Sequence, residues 1–149
     1  MIEKMVKKAK NASQSMALVK TSAKNAVLCK MAKALIANKD HLIRENKKDL
    51  KAGIAKGLSA ALMDRLTLNK KRVKGMAQCL LDTVAIKDPV GDVIETIKRP
   101  NGLIIKKVRA PIGVIGIIYE SRPNVTSDCV GLCLKSGNSV ILKGGKEAF

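Results

Sequence analysis

Residues 110–147 read APIGVIGIIYESRPNVTSDCVGLCLKSGNSVILKGGKE, with two apolar runs on either side of an amphipathic segment. The first run, residues 113–119, is rich in valine and isoleucine and carries no charge, as expected for a parallel strand buried on both faces. The second run, residues 139–143, has the same character. Between them, four residues recur at helical spacing: Val125, Cys129, Leu132 and Cys133. The stretch therefore predicts a strand–helix–strand unit.

The ends of the predicted helix carry residues that are suited to capping. Asn124 or Thr126 can cap its first turn, and Gly137 can end its last turn. Because ligands of open α/β sheets bind at the carboxyl ends of the strands, we expect a binding site in the two loops that follow the strands. These loops, residues 120–124 and 143–147, are polar and carry cations, and the second contains a glycine pair.

The charge of the chain is strongly positive, since 29 lysines and arginines stand against 12 aspartates and glutamates, a formal net charge of +17. Such an excess attracts anions, which include nucleic acids, acidic membranes and phosphorylated small molecules. The cations are scattered, mostly as lysines on predicted helices, which favours a solvated surface over specific nucleic-acid binding. A basic nucleic-acid-binding protein remains the alternative, although no helix-turn-helix, zinc or aromatic stacking motif supports it.

Composition also indicates the compartment. The chain has 149 residues and is 46% hydrophobic, which suits one folded unit with a sizeable core. No signal peptide is visible, and no apolar run approaches the length of a membrane span. The four cysteines form no C-x-x-C pair, and His41 is the single histidine. We therefore expect buried free thiols, no metal site, no membrane and a cytoplasmic location.

Helical periodicity dominates residues 1–87. Apolar residues recur every three or four positions, with lysines on the opposite face. We predict a break near Lys20, a helix end at Gly57, and a later helix capped by Thr67 or Asn69. This part is interpreted as packing elements without chemistry.

A β-ribbon is predicted for residues 88–110. Residues 93–98 alternate between apolar and polar, and residues 103–108 do so less cleanly. Pro100-Asn101-Gly102 lies between them, and Asn-Gly is a strong hairpin signal because both residues tolerate positive φ.

Several motifs resemble a known family. PIGV at residues 111–114, followed by a helix and GNSVILK at residues 137–143, is similar to members of the aldehyde dehydrogenase superfamily. Narrower motifs resemble the γ-glutamyl phosphate reductase family within it: YESRPNVT at 119–126, LCLKSGN at 132–138 and GGKE at 144–147. The resemblance covers essentially the whole chain.

The resemblance implies an α/β fold of the aldehyde dehydrogenase type. Residues 1–87 would form an N-terminal helical region, and residues 88–110 a β-ribbon of the oligomerisation type. Residues 111–149 would begin an NADP-binding, Rossmann-type domain that stays incomplete. The chain is thus expected to be the N-terminal portion of an oxidoreductase and to lack its catalytic domain.

By resemblance, the reaction is the NADPH-dependent reduction of γ-glutamyl 5-phosphate to glutamate 5-semialdehyde and phosphate, in proline biosynthesis. It requires a cysteine thiolate that attacks the acyl phosphate, and a hydride that reduces the resulting thioester. The catalytic cysteine is expected beyond residue 149. Cys129 and Cys133 lie at apolar positions of a helix, where burial makes a thiol inert. The fragment alone is therefore expected to be inactive.

Five residues are candidates for the binding site. The resemblance implies that Lys143, Gly144 and Glu147 contact NADPH, although a solvated lysine at a strand end is the alternative for Lys143. Arg122 and Asn124 are candidates for the substrate, because a guanidinium can hold a carboxylate or acyl phosphate with two hydrogen bonds. An exposed loop arginine without a ligand is the alternative.

The resemblance also implies partners. The complete enzyme is expected to act on a small molecule and to form a homo-oligomer in which the ribbon meets another subunit. A non-catalytic homologue that pairs with a full-length subunit through the ribbon at Asn101-Gly102 is a further alternative.

Overall fold

The computed structural model describes residues 2–147, in which six helices and four strands follow one another. Their bounds are α1 Ile2–Met16, α2 Thr21–Ala37, α3 Lys39–Ala55, α4 Ala60–Leu66, α5 Lys70–Ala85, β1 Val93–Lys98, β2 Ile104–Val108, β3 Val114–Ile118, α6 Pro123–Lys135 and β4 Ser139–Lys143. The predicted α/β class is confirmed. Ala148 and Phe149, the last residues of the predicted cofactor domain, lie outside the described part.

Capping residues and a glycine set the bounds of the amino-terminal helices. Asn69 caps α5, because its side-chain oxygen accepts the backbone N–H of Arg72 at 2.8 Å. Gly57, just past α3, has a φ of 69°, a conformation that costs a residue without a Cβ little. Thr67, the other predicted cap, instead follows α4 and donates its hydroxyl to the carbonyl of Met63 at 2.7 Å. No helix among residues 2–147 combines the length and apolar character needed to cross a membrane.

The hydrophobic core lies where α2, α5 and α6 meet. Leu28 of α2 and Leu80 of α5 are fully buried, and Ala32 and Ala77 fill the space between these helices. Gly131 lets α6 approach closely, because a Cβ at this position would lie 2.7 Å from Leu80 Cδ2. The three helices, which we call the helical layer, therefore pack as one unit.

Two lysines are buried in this layer, contrary to the expectation of solvated lysines. Lys24 Nζ lies 2.9 Å from the Asp88 carboxylate and 3.3 Å from the carbonyl of Lys135. Lys135 Nζ donates to the Asn25 side-chain oxygen at 2.8 Å and to the carbonyl of Val84 at 3.0 Å. The ammonium groups tolerate burial because protein oxygens replace water as their partners.

The predicted strand–helix–strand unit is confirmed. β3 and β4 pair in parallel, with the register running from Val114 opposite Ser139 to Ile118 opposite Lys143. The expected burial on both faces is wrong, since Ile118 is 79% exposed. Within residues 2–147 the sheet has two strands, so much of its apolar surface has no cover.

Helix α6 begins differently from the prediction. It starts at Pro123 with Arg122 in the capping position and no side-chain cap, so neither Asn124 nor Thr126 caps it. Proline suits the first helical position because its φ is already helical and its missing N–H would have no partner there. The Thr126 hydroxyl instead lies 2.6 Å from the Tyr119 hydroxyl.

The end of α6 follows the prediction and also fixes the sheet register. Gly137 has a φ of 73°, and the backbone N–H of Asn138 returns to the carbonyl of Cys133 at 2.8 Å. The Asn138 side-chain oxygen then accepts the N–H of Gly113 at 2.8 Å. The carbonyl of Gly113 accepts the N–H of Ser139 at 2.9 Å. These bonds hold the starts of β3 and β4 side by side.

Strands β1 and β2 form the predicted β-ribbon, an antiparallel pair with a bulge near Val93. The loop of the ribbon lies at the predicted residues. Residues Pro100, Asn101 and Gly102 form the loop, which the bond from Arg99 N–H to the Leu103 carbonyl closes at 2.9 Å. Gly102 has a positive φ of 84° and Asn101 does not. Pro100 is suited to the second position of a turn that starts at Arg99, and the Gly102 N–H closes this turn on the Arg99 carbonyl at 3.0 Å.

Candidate functional site

The two predicted binding loops lie side by side at the carboxyl ends of β3 and β4. Pairing continues one step past the strands, because Tyr119 N–H donates to the Lys143 carbonyl at 3.1 Å. The chain then turns into residues 120–122 after β3 and residues 144–147 after β4. This is the edge at which parallel sheets bind ligands.

A carboxylate connects the two loops. Glu147 Oε1 accepts the Ser121 N–H and the Ser121 hydroxyl, each at 2.8 Å. Ser121 is buried and has a φ of 37°, an uncommon conformation for a residue with a side chain. The hydrogen bond from the Ser121 hydroxyl lowers the pKa of Glu147 below its usual value, and backbone N–H donors lower it further. Glu147 is therefore a carboxylate that uses one of its oxygens to hold the first loop in place.

Lys143 and Gly144 lie at the open side of this edge. Lys143 is the last residue of β4 and its side chain is exposed, with no salt bridge to any residue between 2 and 147. Gly144 has no side chain to cover its backbone, although a Cβ there would make an ordinary contact, 3.4 Å from the Tyr119 hydroxyl. An unpaired ammonium beside an open backbone is suited to an anionic ligand.

Arg122 and Asn124 occupy different kinds of position. Arg122 is exposed in the loop before α6. Asn124, which we predicted in the loop, lies in the first turn of α6 because Pro123 already begins the helix. Its amide donates to Asp128 Oδ2 at 3.0 Å, so one of its N–H groups is engaged within the helix.

Both residues line a cavity of about 430 Å³ between the α4–α5 corner and the start of α6. Its charged and amide side chains are Asp64, Arg65, Arg72, Arg122, Asn124 and Asp128. The volume lies within the range of small-molecule sites. Sequence reasoning missed the contribution of α4 and α5, since the residues of α5 lie far from Arg122 along the chain.

Asp128 is an unusual member of this cavity. Its Oδ1 atom is buried and has no hydrogen-bond partner within the described residues. A buried carboxylate oxygen without a partner is costly, and such an atom in a native protein calls for an explanation. Asp128 was not predicted as a site residue, and its place as the acidic residue of α6 was the signal available for it.

Three of the four cysteine thiols are poor nucleophiles here. Burial raises the pKa of Cys133, and burial followed by the nearby Asp128 raises those of Cys129 and Cys79. The expectation of buried thiols holds for Cys133 alone among the four; Cys29 and Cys129 are half-buried and Cys79 is exposed. All four are free. Across residues 2–147, no cluster of three or more potential ligands could hold a metal ion.

The chain belongs to the aldehyde dehydrogenase family, whose model matches residues 1–148. Within that family it is similar to proteins named γ-glutamyl phosphate reductase. It is 56% identical over 148 residues to the one from Citrifermentans bemidjiense, and the alignment covers 99% of this chain and 35% of the relative. It is 54% identical to the one from Caldanaerobacter subterraneus subsp. tengcongensis, and that alignment covers 99% of this chain and 36% of the relative. The resemblance seen in the motifs is thereby confirmed.

Two solved structures with the same name share the fold. The γ-glutamyl phosphate reductase of Thermotoga maritima has a TM-score of 0.92 and 42% identity, covering 95% of this chain and 34% of that chain. The one from Saccharomyces cerevisiae has a TM-score of 0.94 and 36% identity, covering 97% and 37%. The chain thus spans about a third of the length of the relatives it matches.

Proposed function

We propose that the full-length protein, meaning this chain together with the further part that its relatives have, is an NADPH-dependent γ-glutamyl phosphate reductase. Family membership implies a nicotinamide cofactor and a small-molecule substrate; NADPH and γ-glutamyl phosphate are the specific proposals. The observation that carries them is the polar edge of the β3–β4 sheet, where Glu147 holds the two cation-bearing loops together. The names of the relatives favour this reading over a nucleic-acid-binding protein.

The residues at this edge are suited to a phosphorylated dinucleotide. The Lys143 ammonium is exposed and available for a phosphate or ribose oxygen, and Gly144 lets such a ligand approach the backbone. Glu147 keeps its second oxygen for a ribose hydroxyl while the first holds Ser121. When bound, the cofactor supplies the hydride for the reduction.

The two proposed substrate residues lie at the start of α6: Arg122 just before the helix and Asn124 in its first turn. Arg122 is exposed and offers two parallel N–H donors to a carboxylate or acyl phosphate. Asn124 retains one amide N–H beyond its bond to Asp128. The reaction also needs a cysteine thiolate, which we assign to the part of the full-length protein outside this chain, because burial raises the pKa of Cys129 and Cys133.

The test of this proposal is the oxidation of NADPH by the full-length protein with γ-glutamyl phosphate. Lys143→Ala should raise the KM for NADPH about 10-fold or more and change that for the acyl phosphate little, since one charge-assisted hydrogen bond is lost. Lys30→Ala, which removes an exposed lysine of α2 outside both loops, is the matched control. An unchanged KM for NADPH in the Lys143 variant would refute the cofactor assignment.

Residues 1–149 expressed alone should not reduce the acyl phosphate. The reason is that three of the four free cysteines have a raised pKa, and the fourth, Cys29, is half-buried in α2 and outside the two loops. Turnover that either Cys129→Ser or Cys133→Ser abolishes would place the active site within this chain.

The remaining assignments belong to the same proposal. Residues 1–87, 88–110 and 111–149 form the helical region, the ribbon and the start of the NADP-binding domain. The ribbon meets another subunit of a homo-oligomer, which its exposed apolar residues support. The free thiols support a cytoplasmic location.

A further inference from the structure

We propose that the cavity between the α4–α5 corner and the start of α6 binds the amino-acid end of the substrate, with Asp128 holding its α-ammonium group and Arg122 and Arg65 its α-carboxylate. This inference rests on the proposed function and names the specificity pocket of that reaction. We call the cavity the zwitterion pocket.

The first argument is the unpaired oxygen of Asp128. The Asn124 amide donates to Oδ2 at 3.0 Å, while Oδ1 is buried without a partner among the described residues. Burial of such an oxygen is costly unless a donor meets it. A primary ammonium group, with three donors and a positive charge, is the ligand group that satisfies it best.

The second argument is the distribution of arginines around the same space. Arg72 is already engaged, since its guanidinium lies 2.8 Å from Asp64 Oδ1 and 2.7 Å from the Thr67 carbonyl. Arg65 and Arg122 form no salt bridge with any residue in the 2–147 range. The pocket therefore combines an unsatisfied carboxylate with two unengaged guanidinium groups.

This combination selects the chemistry of the ligand. An inorganic phosphate would meet the arginines but would be repelled by Asp128, and a metal ion would meet Asp128 but be repelled by the arginines. An α-amino acid carries both charges on one carbon and matches both partners. Arg122 belongs to the loop after β3 and also lines the pocket, so the pocket adjoins the edge where the cofactor is proposed to bind.

The experiment compares two acyl phosphates with the full-length protein: γ-glutamyl phosphate and glutaryl phosphate, which lacks only the amino group. Asp128→Asn keeps the shape and the bond to Asn124 but removes the charge. It should lower kcat/KM for γ-glutamyl phosphate about 10- to 100-fold, the effect of one hydrogen bond to a charged group. For glutaryl phosphate the change should stay within about 3-fold, because no ammonium group is present to lose its partner.

Asp82→Asn is the matched control, since Asp82 is exposed on α5 outside the pocket and bonds to Gln78. It should change neither reaction. An equal loss on both acyl phosphates in the Asp128 variant would overturn the inference, because it would show a structural role such as holding a buried water. No loss on either would overturn it too.

Calorimetric titration separates this inference from the proposed function. L-glutamate should bind the wild type more tightly than glutarate, and Asp128→Asn should remove that preference. If the wild type reduces neither acyl phosphate, the proposed reductase function fails, yet a preference for L-glutamate that depends on Asp128 still supports the pocket. Equal binding of glutamate and glutarate overturns the pocket whatever the reductase assay shows.

Discussion

The helical layer and the β-ribbon differ in how far they bury their residues, whatever the residue type. In the layer, Leu28 is fully buried and even Lys24 is 1% exposed. In the ribbon, Ile94 is 53% exposed and Ile104 55% exposed, and every residue of β2 is exposed. Residue type therefore does not decide burial in this chain; the availability of a partner element does.

The difference follows from what each region packs against. Helices α2, α5 and α6 cover one another, and their buried ammonium groups find oxygen partners from neighbouring helices and from Asp88. The two ribbon strands are held mainly by each other, and an isolated pair of strands is marginal in water. The stability of the chain is thus concentrated in the layer, while the ribbon leaves apolar residues such as Ile94 and Ile104 exposed.

The largest expected effect is the loss of the buried charge in the layer. Lys24→Ala leaves the Asp88 carboxylate, 10% exposed, without its ion-pair partner and should lower the free energy of unfolding by about 3–5 kcal/mol. Lys30→Ala, an exposed lysine on the same helix, should cost under about 0.5 kcal/mol. Hydrogen exchange of peptides from α2 and α5 in the full-length protein measures both. Equal protection in the two variants would contradict a structural role for the buried pair.

Truncation of a core side chain should cause the second-largest loss of stability. Leu80→Ala removes a side chain that is 1% exposed and should cost about 3 kcal/mol through lost burial and the cavity left behind. Leu81→Ala, the next residue but 42% exposed, should cost under about 1 kcal/mol. Thermal midpoints of the two variants measure the difference. Similar midpoints would show that α6 does not pack on α5 as described.

The third effect is a pH dependence that arises at Asp88. Burial alone would raise the pKa of Asp88, but hydrogen bonds from Lys24, from the Val90 N–H and from Thr21 outweigh it and lower the pKa. The carboxylate therefore stabilises the fold fully above its ordinary pKa of about 4, and this contribution is lost as pH falls through the lowered folded pKa.

Melting curves between neutral and acidic pH measure this effect. Asp88→Asn should melt at a lower temperature than the wild type at neutral pH. The difference between the two melting temperatures should become smaller at acidic pH. Asp40→Asn, an exposed residue of α3, serves as the control and should show a constant difference. A gap for Asp88→Asn that does not change with pH would contradict the role of the ion pair.

The smallest effect on stability is expected in the ribbon. Ile104→Thr keeps a β-branched residue at a 55% exposed position and should change the free energy of unfolding by under about 0.5 kcal/mol. It should nevertheless weaken the proposed homo-oligomer, because it removes apolar surface from the contact. Sedimentation of the full-length protein measures the assembly. A stability loss as large as that of Leu80→Ala, with unchanged assembly, would show that the ribbon packs on its own chain.

Local signals were enough to predict most elements. Asn69 and Gly57 mark helix ends through their own side chain or backbone freedom, and the bounds of β4 match the predicted residues 139–143. The ribbon loop was predicted at residues 100–102, but a positive φ was expected at both Asn101 and Gly102, and only Gly102 has one.

The parts that could not be predicted depend on distant partners. Lys24 is buried because Asp88, 64 positions away, accepts its charge, and no local pattern distinguishes Lys24 from the solvated lysines around it. The bond between Ser121 and Glu147 spans 26 positions, so the loops could be predicted as neighbours but not as joined. The zwitterion pocket needs Arg65 of α4 and Asp128 of α6 in one cavity, which tertiary packing alone reveals.

The pairing of Gly113 with Asn138 and Ser139 has a consequence for how such a sheet can change. It sets the alignment of β3 and β4 at their amino-terminal ends, whereas the proposed site lies at their carboxyl-terminal ends. Residues can be exchanged, inserted or removed in the loops after the strands without a change in the register of β3 and β4, because that register does not depend on those loops. Altered ligand preference can therefore be sought by varying residues 120–122 and 144–147 in a library that leaves Gly113 and Asn138 untouched.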